Sequence, residues 1–287
     1  MAKGRELKGR IKTVENTRKI TRTMEMVATS KMKRASDRMH AARPYAELLR
    51  SVIGDLYAPD LAERFPLLRQ PKRERRAGVV LITSNRGLAG AFNANLIKEA
   101  RALVERLETS GASVDLHIAG RKGIGYFKYV GRALTTQRTD VGDRPSADHA
   151  ASLVDEMMAA FIAGELDAVY VVRSRFASAL SAPPTVDRVL PVEPPKGGRA
   201  TRDWLLLPSA EAILTELLPA YVRNAVYRAL VETAAAEQAA RRTAMKNATD
   251  NASEMLTLLR SNYNRARQAQ ITQEIAEIVG GAAALQG

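Results

Sequence analysis

A chain of 287 residues in which 46% are hydrophobic can bury a real core, and the 5% aromatic content favours long helix over a compact sandwich. It has no cysteine, which excludes disulfides, thiolate-held zinc, iron–sulfur clusters and thiol switches; His40, His117 and His149 lie too far apart to suggest a metal site. The net charge of +13 is uneven, with 14 Lys/Arg against 6 Asp/Glu in residues 1–57 and eight of each in residues 209–287. The first segment therefore calls for an acidic partner, whether nucleic acid, anionic lipid or protein surface.

The N-terminus, MAKGRELKGRIK, has no apolar stretch and predicts no signal peptide. No run of about 18 apolar residues occurs, so no membrane insertion is expected and any membrane link must pass through partners.

Residues 1–57 read as one helix. Steps of alternately three and four residues collect Leu7, Ile11, Val14, Arg18, Thr21, Glu25, Ala28, Met32, Ala35, Met39, Ala42, Ala46, Leu49, Ile53 and Leu56. All but Arg18, Thr21 and Glu25 are apolar, the narrow seam of a coiled coil. Pro44 is expected to kink or locally break it.

Between the helical ends the texture changes. Residues 78–83 (GVVLIT), 113–118 (SVDLHI) and 167–173 (DAVYVVR) read as buried strands. Residues 93–107 carry Leu96, Ile97, Ala100, Leu103, Val104 and Leu107 on one helical face, and residues 146–163 read as a helix capped by Ser146 and stopped at Gly164. Strand–helix alternation predicts a Rossmann-like α/β domain over residues 77–200, with the Pro/Gly-rich stretch 183–198 wandering over its surface before Trp204.

Residues 209–287 form the second long helix, with Ser209 as its cap and a kink expected at Pro219. Its seam reads through Met245, Ala248, Ala252, Met255, Leu259, Asn262, Ala266 and Ala269. The expected fold class is thus α/β plus coiled coil, the two terminal helices pairing antiparallel. The alternative, two helices of a large bundle, would show a wider apolar stripe. At 1.5 Å per residue the helices would measure roughly 80 and 115 Å, so the second should outrun the first.

Chemistry is scarce. The loop at residues 84–93 (SNRGLAGAFN) follows a strand, but Gly87 and Gly90 miss the dinucleotide spacing, and residues 120–125 (GRKGIG) lack the Gly-Lys-Ser/Thr of a P-loop. No nucleophile–base pair stands out, so no catalytic, cofactor-binding or metal residue is assigned. Thirteen of the 14 basic residues in the first segment lie off its seam. A nucleic-acid arm would look similar, yet no aromatic for base stacking precedes Tyr45. Met24 and Met26 also lie off the seam, either flanking the core or offering adaptable apolar contacts. The end, residues 271–287 (ITQEIAEIVGGAAALQG), is small, apolar and without a basic residue.

These residues resemble the γ subunit of bacterial F-type ATP synthases along essentially the whole chain. The resemblance rests on Lys19-Ile20-Thr21 and Met24-Glu25-Met26-Val27-Ala28 in the first helix, on the loop at residues 84–93, and on the C-terminal set. That set comprises Tyr263-Asn264, Arg267-Gln268, Ile271-Thr272, Glu274, Glu277 and Gly281-Ala282. It implies a non-catalytic central stalk standing in a hexamer of alpha and beta subunits, its foot on the epsilon subunit and the c-ring. It also implies a peripheral location at the cytoplasmic face of the membrane within the F1 sector, with no cofactor and no nucleic-acid partner. Met24 would face an acidic loop of beta, Arg267 and Gln268 would be polar contacts to another beta loop, and Ile271 and Glu274 would belong to the partner-facing tip. The insertion and paired cysteines of the chloroplast type are lacking, and Pro219 is a local departure. Two other readings keep their own signatures: a nucleic-acid-associated coiled coil, marked by salt-sensitive binding, and a nucleotide-binding enzyme with helical arms, marked by saturable nucleotide binding.

Overall fold

The structure is a computed structural model that describes residues 2–56, 64–179, 181–193 and 209–284. It divides into two compact units, residues 28–241 and the pair 1–27 with 242–287.

The larger unit is built on a five-stranded sheet. Strand β1 (Arg76–Ile82) pairs in parallel with β2 (Ser113–Ala119) and β4 (Ala168–Ser174); β3 (Thr136–Arg138) extends the sheet beyond β2 in parallel, and β5 (Pro184–Leu190) runs antiparallel on β4. The order β3-β2-β1-β4-β5 is that of a doubly wound sheet closed by an antiparallel edge. The start of β1 is pinned by Asp167, whose carboxylate accepts from the backbone of Arg75 at 2.7 Å and of Arg76 at 3.1 Å.

Strand alternation sends side chains to two separate cores. Ala77, Val79 and Leu81 join Leu116 and Ile118 under α2 (Phe92–Thr109) and α3 (Arg121–Tyr129). Val80 and Ile82 join Val169 and Val171 under α4 (Ala147–Ile162). That second core also takes Ile53 and Leu56 from α1 (Ala2–Leu56) and Leu214, Leu218, Val222, Val226 and Leu230 from α5 (Ala210–Ala284). The long helices are therefore part of the domain's hydrophobic cover. At residues 229–236 of α5 every position is buried, a broad face that the expected narrow seam does not describe.

The local signals act through identifiable atoms. Ser146 caps α4 by accepting from the His149 backbone at 3.3 Å, and His149 Nδ1 accepts from the Ser146 backbone at 3.0 Å, so a histidine fills the place of glutamate in a capping box. Gly164 follows the helix at φ +80°, as a stop signal should. Ser209 Oγ accepts from the Ala212 backbone at 3.2 Å at the head of α5.

The structure adds to the sequence reading and corrects it. Residues 121–129 form a helix and residues 136–138 a strand, neither signalled by the sequence. Part of the stretch expected to wander is β5, which its flanking prolines disguised. Pro44 does not break α1, and α5 runs on through Pro219. The carbonyls they orphan, on His40 and Thr215, belong to exposed residues and can be hydrated. The expected Trp204 segment lies outside the described residues.

Gly120 holds β2 against the end of β1. Its φ is +112°, and a Cβ there would meet the Thr83 carbonyl oxygen at 2.1 Å. Gly120→Ala is expected to cost about 3 kcal/mol or more, read as a lowered urea midpoint for the sheet domain.

Candidate functional site

In the smaller unit the amino-terminal part of α1 pairs with the carboxy-terminal part of α5. Thr249 Oγ1 donates to Thr21 Oγ1 at 2.8 Å, and Arg260 lies 4.0 Å from Glu15. As one number falls the other climbs, so the two helices run antiparallel. Thr21 and Thr249 are both buried, and Thr21 in turn donates to the Arg18 carbonyl at 3.1 Å. A satisfied polar pair inside an apolar seam penalises slipped registers, which would bury hydroxyls without partners.

All fifteen seam positions read from α1 are buried or half-buried. In α5 the inward positions are Met245, Thr249, Ala252, Leu256, Leu259, Tyr263, Ala266 and Gln270. The reading from sequence took Ala248, Met255, Asn262 and Ala269 where the structure uses the next residue each time. Met255 is 52% exposed and Leu256 2% exposed, so the alternate steps were displaced by one. At Met255–Leu256 both choices are apolar, and only the partner helix decides between them.

Met24 is half-buried at the flank of the seam, with Ile20, Met26 and Val27 exposed around it. Arg267 and Gln268 are exposed, Ile271 is 47% exposed, and Glu274 accepts a hydrogen bond from Gln270 at 2.8 Å. The structure does not gather these five into one site. With Thr21 level with Thr249, Met24 stands about 20 residues, or roughly 30 Å, from Arg267 along α5. Residues 271–281 are all exposed, Ile275, Ile278 and Val279 among them.

In the larger unit the polar residues gather where the strands end. The loop after β1 is held from within: Ser84 N donates to Asn93 Oδ1 at 3.0 Å, Asn93 Nδ2 donates to Ser84 Oγ at 2.8 Å, and Asn85 Nδ2 donates to the carbonyls of Thr139 and Val141, each at 2.9 Å. The backbone N–H groups opening α3 are engaged as well, Arg121 to Asn85 Oδ1 and Gly123 to Thr83 Oγ1, both at 3.0 Å. Among the described residues no cluster of three or more His, Cys, Asp or Glu could hold a metal ion.

Asp143, which sequence reasoning passed over, is the hub of this end. Lys31 Nζ donates to its carboxylate at 2.5 Å, Gln238 Nε2 at 3.0 Å, and Arg38 Nη2 donates to its backbone carbonyl at 2.9 Å. Burial pushes the carboxyl's pKa up, but the hydrogen bond and charge of Lys31, with Arg241 and Arg86, outweigh it and hold the pKa below the ordinary value. Lys31 and Arg38 lie off the seam, and reaching for Asp143 half-buries both. Beside them Glu237 and Arg241 form a pair at 2.5 Å with side chains only 12% and 10% exposed, and burial raises the Glu237 pKa despite Arg241. A lone aspartate between Gly142 and Arg144 gives no periodic signal from which this role could be read.

Two long helices that pair antiparallel in the smaller unit and cover a doubly wound sheet in the larger define the class of fold. A family model described as ATP synthase matches residues 3–285. The ATP synthase gamma chain of Gemmatimonas aurantiaca is 64% identical over 290 aligned residues, covering 100% of both chains. That of Frankia casuarinae is 44% identical, covering 98% of this chain and 97% of the relative. The fold recurs in the rotor of the Euglena gracilis mitochondrial ATP synthase, with a TM-score of 0.67 at 20% identity over 94% of this chain and 99% of that one. It recurs in the central stalk of the Tetrahymena thermophila enzyme, at 0.60 and 24% identity over 80% and 99%. The chain belongs to the ATP synthase gamma chain family.

Two measurements probe the geometry. Leu256→Ala is expected to cost about 2–5 kcal/mol, and Met255→Ala within about 0.5 kcal/mol of nothing, in thermal melts of the helical signal; equal losses would contradict Leu256 as the inward residue of that turn. Asp143 has a depressed folded pKa, so its stabilisation is present above its unfolded value of 3.8 and is lost as pH falls through the folded value. Asp143→Asn should melt below the parent at neutral pH, and the gap should close as the pH is taken below 3.8.

Proposed function

We infer that this chain is the rotating central stalk of an F-type ATP synthase, transmitting torque between the c-ring and a hexamer of alpha and beta subunits. The observation that carries the reading is full-length kinship to gamma chains, at 64% identity to one of them, together with the exposed helical end at residues 271–281. An apolar end of that length on one helix requires a covering partner.

On this reading the chain performs no chemistry, and the catalytic sites belong to the beta subunits. It works as three pieces: residues 1–57 and 209–287 as the rods, and residues 77–200 as the foot facing the epsilon subunit and the c-ring. No helix of the described residues is long and apolar enough to cross a membrane, which accords with a peripheral position at the cytoplasmic face. The rods present different side chains at each angle, and coupling needs only that these contacts differ among the three catalytic sites. Met24, with exposed Ile20 and Val27 beside it, offers apolar surface to a beta loop and basic Lys19 and Arg22 offer charge to its acids. Arg267 and Gln268 are polar contacts made at particular angles, Ile271 enters an apolar sleeve, and Glu274, already bonded to Gln270, faces the same collar.

Reconstitution tests the reading. Mixed with matching alpha and beta subunits, the chain should give a stable complex with ATPase activity, and Arg267→Ala with Gln268→Ala should lower that activity about fivefold or more. No co-purification, or full activity in a complex from which this chain is missing, would sink it.

A further inference from the structure

A basic hollow of the sheet domain lies between α1, α5 and the loop at residues 140–144, and it has a volume of ≈ 460 Å³. Small-molecule pockets span roughly 300–1,000 Å³, so it has room for a compact ligand. Lys31, Arg34, Arg38 and Arg144 line it, opposed only by Asp140 and Asp143. Both carboxylates are already matched. Arg138 takes Asp140 through two nitrogens at 2.8 and 2.6 Å, and Lys31 takes Asp143 at 2.5 Å. Three guanidinium groups are left over, those of Arg34, Arg38 and Arg144, and none has a carboxylate of its own among the described residues.

Arg38 makes the excess specific. Its Nη2 is fixed on the Asp143 carbonyl at 2.9 Å, which sets the plane of the fork, while its buried Nε has no acceptor among the described residues. A buried guanidinium donor without a partner is costly, and the acceptor that suits a fixed fork is an oxyanion. Arg34 and Arg144, both exposed, stand at the rim, able to close on a multiply charged ligand. We propose that this hollow binds a phosphate-bearing anion, with Arg38 as its fixed donor and Arg34 and Arg144 as its mobile ones. Phosphate chemistry is shared by free phosphate, pyrophosphate and the polyphosphate of a nucleotide. A site here would let such an anion tie α1, α5 and the loop at residues 140–144 together.

The test is isothermal titration of the full chain with pyrophosphate, inorganic phosphate and ADP, alongside sodium sulfate. Saturable binding of at least one phosphate ligand is expected, with about tenfold or more weaker affinity in Arg38→Gln and in the double variant Arg34→Gln/Arg144→Gln. The order among the three ligands identifies the source. The double variant changes only exposed side chains, so it stays informative if Arg38→Gln does not fold. Heats that never saturate, heats matched by sulfate, or an affinity unchanged in the double variant would overturn the site, marking instead a basic surface that faces a protein or an anion held elsewhere.

Discussion

A parallel sheet sheds water only when both of its faces are covered by helices, and this sheet has too few crossover helices to do so alone. One face is served by α2 and α3. The other has α4, and the rest of its cover comes from Ile53 and Leu56 of α1 and from the Leu214–Leu218–Val222–Val226–Leu230 stripe of α5. The long helices are thus obligatory parts of the domain's core. Arg173 on β4 strengthens the tie: it pairs with Asp187 on β5 and, at 2.5 Å, with Glu232 on α5, and the Ser174 backbone donates to Thr233 Oγ1 at 3.3 Å. Two buried ionic or polar ties in the same turn of helix penalise any slide of α5 along the sheet.

That arrangement suits a part that must carry load. A torque applied to a helix is transmitted to a domain only as far as the helix cannot slip or rotate on it. Here rotation of α5 would expose Leu218 and Val222, both 1% exposed or less, and would break the Arg173–Glu232 pair. In the smaller unit the seam carries alanines, threonines and single leucines, so the paired helices depend on register more than on buried area. The Thr21–Thr249 pair sets that register from inside.

The seam of the first helix was legible in the sequence, because it alternates cleanly with charged neighbours, and every seam residue is withdrawn from solvent. The three central strands were equally plain as β-branched runs, and Ser146, Gly164 and Ser209 acted as their chemistry demands. What escaped notice lacked a local signal. Strand β5 begins at a proline and holds Asp187 and Arg188, β3 is three polar residues, and α3 contains two glycines. The displaced seam of α5 shows a different limit, since at Met255–Leu256 both neighbours are apolar and the choice is made by the partner helix. The contact residues proposed at the rods sit on exposed faces or, for Met24, at the flank of the seam, where other chains would fix their role, and Asp143 acquires its role only when α1, α5 and a loop converge on it.

Because the chain has no cysteine of its own, the antiparallel pairing can be examined directly by oxidative crosslinking of engineered pairs. The two threonine hydroxyls lie 2.8 Å apart, so Thr21→Cys with Thr249→Cys should close an intramolecular disulfide rapidly and in high yield, while Thr21→Cys with Asn262→Cys should not. Equal yields from the two pairs, or crosslinks formed only between separate molecules, would contradict a fixed antiparallel register.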